Sequence, residues 1–153
     1  NRLKLFGPGT DSGTFDYFSE VINGKEKAHR ADYTPSEDDN VLVRGVSGER
    51  NSLGYFGFAY YEENKKKMKL LAVDSGNGCV LPSPQTIEEG TYKPLSRPLF
   101  IYVNLDSLKK PHVQAFVRFY LEHAADLVKQ VGYVPFSESV YKKELSKLAK
   151  VLQ

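Results

Sequence analysis

Five consecutive residues near the start of the chain have the side chains best suited to bind a small anion: Thr10, Asp11, Ser12, Gly13 and Thr14. The hydroxyl groups of Ser12 and Thr14 can donate hydrogen bonds, and Gly13 lets a ligand approach the backbone closely. Where such a run begins a helix, unpaired backbone N–H groups and the helix dipole favour negative charge. The same residue types also form ordinary helix caps that bind no ligand.

This run lies between a predicted strand and a predicted helix, which would fix its position. The apolar positions of the strand are Leu3, Leu5 and Phe6, and those of the helix are Phe15, Phe18 and Ile22. Residues 7–9 read Gly-Pro-Gly and end the strand. No lysine or arginine lies between Lys4 and Lys25, so an anion here would be held mainly by neutral dipoles.

The common motifs of phosphate binding and catalysis do not fit this stretch. Gly7, Gly9 and Gly13 lack the G-x-G-x-x-G spacing, no Gly-Lys-Ser/Thr follows, and Thr10 stands where a nucleophile elbow requires glycine. The chain has one cysteine, Cys79, and three histidines without metal-ligand spacing: His29, His112 and His123. These patterns therefore predict no catalytic residue, no metal site and no cofactor.

An acidic run and a single arginine can each be interpreted in two ways. The acidic residues Glu37, Asp38 and Asp39 could bind a metal or form the first turn of a helix capped by Ser36; we favour capping, because consecutive side chains diverge. Arg97 could bind phosphate through its two-pronged guanidinium, or pack and pair at the edge of a domain; we favour the second, because nothing local fixes its geometry.

Composition indicates an ordinary folded domain. The chain has 153 residues, of which 41% are hydrophobic and 26% charged, and its formal net charge is +2. This balance is typical of globular proteins, and it lacks the clustered basic face that nucleic acid requires. The one dense basic run, residues 65–67, fits a solvated helix end. We expect no nucleic-acid partner.

Strand and helix patterns alternate along the chain, which indicates an α/β fold. The predicted strands are residues 53–58, 68–73 and 97–103, the last of them the strongest. Helices are predicted after Ser36, over residues 59–67, after Lys110, and after Ser137. The first of these would bury Val41, Leu42 and Val46; the long helix would bury Val113, Phe116, Val117, Tyr120, Leu121, Ala124 and Val128.

Several blocks together resemble the phosphate-binding proteins of bacterial Pst-type ABC importers. They are residues 7–18 (GPGTDSGTFDYF), 36–43 (SEDDNVLV), 53–61 (LGYFGFAYY), 94–103 (PLSRPLFIYV) and 132–135 (GYVP). The blocks follow the order of the family and cover nearly all of the chain, but only about the C-terminal half of such a protein. The resemblance implies a periplasmic-binding-protein-like fold of type II, with two hinged α/β lobes.

The resemblance also implies how the chain is divided. Residues 1–98 would form most of the second lobe, and residues 99–153 the hinge strand and the C-terminal helices that return to the first lobe. The rest of that lobe would come from the N-terminal half of the same protein or from a second chain. The protein would be extracytoplasmic, either periplasmic or lipid-anchored on the outer face of the cytoplasmic membrane, and would deliver phosphate to ABC permease subunits.

By the same resemblance, Ser12, Gly13 and Thr14 would bind phosphate, beside Thr10 and Asp11, with Arg97 as a further candidate. Many relatives have an arginine where this chain has Pro8 and an aspartate where it has Thr10, so the source of positive charge is left open. Two alternative functions with the same fold stay open for this chain: an enzyme acting on phosphate esters, and an adhesive or sensory protein.

Overall fold

The computed structural model describes residues 2–152, in which strands and helices alternate as an α/β fold requires. The N-terminal elements are β1 (Lys4–Pro8), α1 (Gly13–Asn23), β2 (Thr34–Ser36), α2 (Asp39–Gly48), β3 (Ser52–Gly54) and α3 (Phe58–Asn64). They are followed by β4 (Val73–Asp74), β5 (Cys79–Val80), α4 (Pro84–Glu88), α5 (Leu105–Leu108), α6 (Pro111–Gln130) and α7 (Glu138–Val151). The predicted fold class is confirmed.

Strand β1 is the centre of a three-stranded parallel sheet with the order β2-β1-β3. Phe6 pairs with Thr34 on one side, and Lys4 pairs with Ser52 on the other. The connections run through α1 and α2, as parallel strands require. Because all three strands point the same way, the loops after β1 and β2 leave from one edge of the sheet, where ligands of α/β proteins bind.

Helix α2 covers the sheet with its buried residues Leu42 and Val43. It is capped by Asp38, whose side chain accepts a hydrogen bond from the Asn40 N–H, so the predicted cap at Ser36 is wrong. Ser36 instead belongs to β2. Val41 was predicted to be buried but is 37% exposed, because the neighbouring residues Leu42 and Val43 are the ones that this turn buries.

Gly45 and Gly48 lie on the same helix in different surroundings, and they give a prediction about stability. A Cβ at Gly45 would overlap the ring of Phe6, whereas nothing lies within 4 Å of a Cβ at Gly48. We expect Gly45→Ala to lower the free energy of unfolding by about 1–3 kcal/mol through overpacking. Gly48→Ala should leave it unchanged or raise it by up to about 1 kcal/mol. Urea unfolding of both variants tests this; equal effects would refute the close contact with Phe6.

His29 lies in an aromatic cluster behind α1. Its Nδ1 is 3.1 Å from the carbonyl oxygen of Arg30, which can only accept, so Nδ1 carries the proton. Its Nε2 then accepts from the Tyr55 hydroxyl at 3.1 Å. Tyr55 also stacks on Phe18 with ring centroids 3.9 Å apart, and burial raises the pKa of its phenol. His29 therefore has a structural role in the packing of α1.

Asp32 and Arg30 form an exposed pair before β2, and this pair gives a prediction about pH. Two hydrogen bonds of 2.7 Å from Arg30 lower the pKa of Asp32 to about 2. Since the folded pKa lies below the ordinary value of about 4, the pair stabilises the fold above pH ~4 and loses that effect as pH falls towards 2.

The variant Asp32→Asn should therefore show a smaller change of stability between pH ~4 and ~2 than the unmodified protein. Urea unfolding across this range measures the change, with Asp126→Asn on α6 as the control. Parallel curves for the unmodified protein and Asp32→Asn would show that the pair contributes nothing.

The C-terminal elements form a second core in which Leu108, Val117 and Leu148 are buried. The long helix α6 ends at Gln130 and α7 begins at Glu138 after its cap, Ser137. Two residues of the predicted buried stripe of α6 are instead exposed, Phe116 by 66% and Tyr120 by 38%. Among residues 2–152, none of the helices has the length and apolar character needed to cross a bilayer.

Three strand predictions were wrong in extent or in kind. Ser52–Gly54 alone forms β3, and only the last residue of predicted strand 68–73 is paired, in a short antiparallel hairpin with β5. Residues 97–103, predicted as the strongest strand, have no sheet partner within the described chain. We call residues 99–103 the exit segment; four of its apolar side chains are exposed, namely Leu99, Phe100, Ile101 and Tyr102.

The chain exposes more surface than a compact protein of its size. Its solvent-accessible area is 10833 Å². A compact monomer of 17.3 kDa is expected to expose about 7,800 Å². The exit segment and the outer face of α6 contribute large apolar side chains to this excess. Such faces are typical of surfaces that another domain or chain covers.

Candidate functional site

The loop between β1 and α1 has the geometry of a helix start that can bind an anion. Ser12 is the N-cap of α1, and its Oγ accepts a hydrogen bond from the Thr14 N–H at 3.2 Å. The Asp16 N–H donates to the Ser12 carbonyl at 3.2 Å, so intrahelical bonding begins there. Both Gly13 and Thr14 are exposed. Their side of the helix start is accessible to a ligand.

The first turn leaves backbone donors for such a ligand. The N–H groups of Gly13 and Phe15 have no hydrogen-bond acceptor among residues 2–152, since the bonds of this turn start at Thr14 and Asp16. Helix α1 has 11 residues, long enough for its dipole to add partial positive charge at this end. The predicted arrangement of strand, turn and helix is therefore present, and binding at Ser12, Gly13 and Thr14 stays a prediction.

Backbone hydrogen bonds hold the loop to the edge of the sheet. The Gly9 N–H donates to the Ser36 carbonyl, and the Ser12 N–H donates to the Gly9 carbonyl, both at 3.2 Å. The Tyr33 hydroxyl donates to the Pro8 carbonyl at 3.0 Å. Thr10 lies at the exposed tip of this turn. Because the loop is held at both ends, the N–H groups of α1 have fixed directions.

Glu37 faces the loop from the end of β2, and sequence reasoning missed this contact. Its Oε1 accepts a hydrogen bond from the Asp11 N–H at 3.3 Å. The carboxylate lies so close to Gly9 that a Cβ there would overlap it. The order of the elements could have indicated this contact, because residues that follow neighbouring parallel strands meet at one edge of the sheet.

The acidic residues Glu37, Asp38 and Asp39 do not converge on one point. Asp38 caps α2, and no metal-binding cluster occurs among the described residues.

Arg97 reaches the same helix start from a distant part of the sequence. Its Nη2 donates to the Gly13 carbonyl at 3.3 Å, and its guanidinium carbon lies 4.6 Å from the centre of the Tyr17 ring. The Tyr17 hydroxyl donates to the Pro94 carbonyl at 2.6 Å. Arg97 thus both packs on α1, as one interpretation proposed, and lies beside the anion-binding candidate, as the other required.

Two polar atoms near this site are buried without a hydrogen-bond partner in the described part of the chain. They are Oδ1 of Asp16, in the first turn of α1, and Oγ of Ser96, the neighbour of Arg97. Buried polar atoms of native proteins are almost always hydrogen-bonded. The other chemically active side chains lie elsewhere: Cys79 is exposed on β5, and His112 and His123 are exposed on α6.

Comparison with known proteins places this geometry in a family. The structure is similar to the crystal structure of a possible phosphate binding protein from Planctomyces limnophilus, with a TM-score of 0.91 and 48% identity over 100% of this chain and 55% of that one. Protein SphX of Synechococcus elongatus is 54% identical over 91% of this chain and 41% of its own length. The Phosphate-binding protein PstS of Staphylococcus haemolyticus is 39% identical over 97% of this chain and 46% of its own.

The resemblance to phosphate-binding proteins is thus confirmed, and the chain spans less than half the length of these two relatives. Residues 1–123 match the family described as the PBP superfamily domain, which is most of the chain. The match covers the sheet, the helix start at Ser12 and Arg97. The chain belongs to the PBP superfamily domain family.

Proposed function

We propose that this chain is the phosphate-binding part of an extracytoplasmic solute-binding protein that delivers inorganic phosphate to an ABC permease. The observation that carries the proposal is the fixed, accessible helix start at Ser12, Gly13 and Thr14. The proposal is supported by two relatives that are named or described as phosphate-binding and are 39% and 48% identical to this chain.

Physical chemistry supports an oxyanion as the ligand of this site. The N–H groups of Gly13 and Phe15 and the hydroxyls of Ser12 and Thr14 are neutral donors at the positive end of α1. Several such donors can replace part of the water shell of phosphate without moving, because the loop is held to Ser36 and Pro8. Thr10 and Asp11 complete the loop, and the Asp11 N–H already has an acceptor in Glu37.

The proposed role is binding and release without chemical change of the ligand. The relatives are named or described as phosphate-binding proteins. Closure of two lobes around the ion would exclude water and strengthen each hydrogen bond. We place the protein outside the cytoplasm, in the periplasm or anchored by lipid to the outer face of the membrane.

We further propose that a second lobe covers the exposed apolar faces of this chain. Residues 1–98 would be most of one lobe; residues 99–153 would cross the hinge and pack on the other lobe. The exposed side chains of the exit segment and the excess surface area support this arrangement. The N-terminal half of the same protein, or a second chain, would supply the missing strands and the opposite wall of the cleft.

Titration of the isotope-labelled chain with inorganic phosphate, followed by two-dimensional NMR, tests the site directly. We expect the amide signals of residues 10–15 to shift and saturate, while signals on α6 and α7 stay in place. Chloride at the same ionic strength is the control for general salt effects. Shifts spread evenly over the surface, or equal shifts with chloride, would contradict a phosphate site at this helix start.

A further inference from the structure

The proposed phosphate site needs a source of positive charge that its own sequence stretch lacks. Neutral dipoles hold anions, but a multiply charged ion gains most from a nearby cation. Between Lys4 and Lys25 the chain has no lysine or arginine, and Glu37 brings a negative charge to the loop. A cation supplied by this chain would therefore come from a distant part of the sequence.

The fold brings Arg97 to this position. Its Nη2 lies 3.5 Å from where a Cβ of Gly13 would be, and it donates to the Gly13 carbonyl at 3.3 Å. Gly13 carries one of the two unpaired N–H groups of the first turn. A guanidinium has five N–H donors, and this bond uses one of them. The side chain is exposed, so the other donors are accessible to an ion seated at the helix start.

Tyr17 fixes the orientation of this guanidinium. The aromatic ring lies one turn into α1, with the Arg97 guanidinium carbon 4.6 Å from its centre, which is within the range of a cation–π interaction. The 2.6 Å hydrogen bond from the Tyr17 hydroxyl to the Pro94 carbonyl holds the segment that carries Arg97 against the same helix. The arginine is thus positioned before any ligand arrives, which reduces the entropy lost on binding.

We infer that Arg97 is the residue of this chain that supplies positive charge to the bound phosphate, and that Tyr17 is its positioning residue. The inference rests on the proposed function and adds to it the charged ligand of the same site. Phosphate would take guanidinium N–H donors together with the N–H and hydroxyl groups at Ser12, Gly13 and Thr14. Glu37, on the Asp11 side of the loop, would oppose binding of any anion placed too far from Arg97.

Calorimetric titration of inorganic phosphate into the full-length protein tests the inference. We expect Arg97→Met to weaken binding at least tenfold and to reduce the dependence of affinity on ionic strength. The affinity of Arg97→Lys should lie between those of the unmodified protein and Arg97→Met, because lysine keeps the positive charge but loses the two-pronged geometry of the guanidinium. Arg118 is an exposed arginine of α6, so the control variant Arg118→Met should bind phosphate as tightly as the unmodified protein.

The role of Tyr17 has its own pair of variants. Tyr17→Leu should weaken binding several-fold, whereas Tyr17→Phe, which keeps the ring, should restore most of the affinity. If Arg97→Met binds phosphate as tightly as Arg118→Met, with the same ionic-strength dependence, the inference is wrong while the proposed function stands. If the unmodified protein does not bind phosphate, both fail.

Discussion

Replacing Ser12 and Thr14 together by alanine is expected to weaken phosphate binding by roughly 100-fold or more. Each hydroxyl would donate to a charged acceptor, and a hydrogen bond of this kind contributes about 1.5–3 kcal/mol. Two such losses give about 3 kcal/mol at the low end, and tenfold corresponds to about 1.4 kcal/mol. Calorimetry with inorganic phosphate on the full-length protein measures the change.

The double variant also removes the N-cap of α1, which costs about 1 kcal/mol of stability. Ser83→Ala is the matched control, because Ser83 caps α4 through a hydrogen bond to the Thr86 N–H and lies outside the site. It should lose a similar stability and keep its affinity. Thr14→Val separates the effects further, since it leaves the cap intact. Unchanged affinity in the double variant would remove Ser12 and Thr14 from the proposed site.

Leu42→Ala is expected to lower the free energy of unfolding by about 2–5 kcal/mol. Leu42 is fully buried between α2 and the sheet, so the substitution removes apolar contacts and leaves a cavity. Its neighbour Val41 is 37% exposed on the same helix, and Val41→Ala should cost about 0.5 kcal/mol. Urea unfolding with a fitted m-value measures both variants. Similar losses for the two would mean that Leu42 is not the centre of this core.

The sequence alone was sufficient to predict the part of the candidate site that is built from residues close together in the chain. A strand, a small-residue turn and a capped helix follow one another within residues 4–23, and each is determined by near neighbours in the chain. Turn and cap preferences act over a few residues, so a cap could be expected among Thr10, Asp11 and Ser12, and the structure has it at Ser12. The long helices α6 and α7 were predicted for the same reason, since their period repeats over many residues.

Contacts between distant segments could not be predicted from such patterns. Nothing near Arg97 in the sequence indicates that Gly13 and Tyr17 will contact it, and the contact of Glu37 with the Asp11 N–H can be expected only from the order of the strands. The exit segment shows the opposite error, because apolar and β-branched residues favour a strand without saying which strand will pair with it. Conversely, β2 contains Pro35, which argues against a strand, and only pairing with β1 makes it one.

The central position of β1 has a consequence for how the protein forms during synthesis. This strand leaves the ribosome before the strands on either side of it. Phe6 pairs with Thr34 and Lys4 pairs with Ser52, and both partners are synthesised later. Until both have emerged, its backbone groups stay hydrated and its apolar residues are open to chaperones. Sheet formation therefore depends on long-range contacts, which form more slowly than the local contacts within α1 and α2.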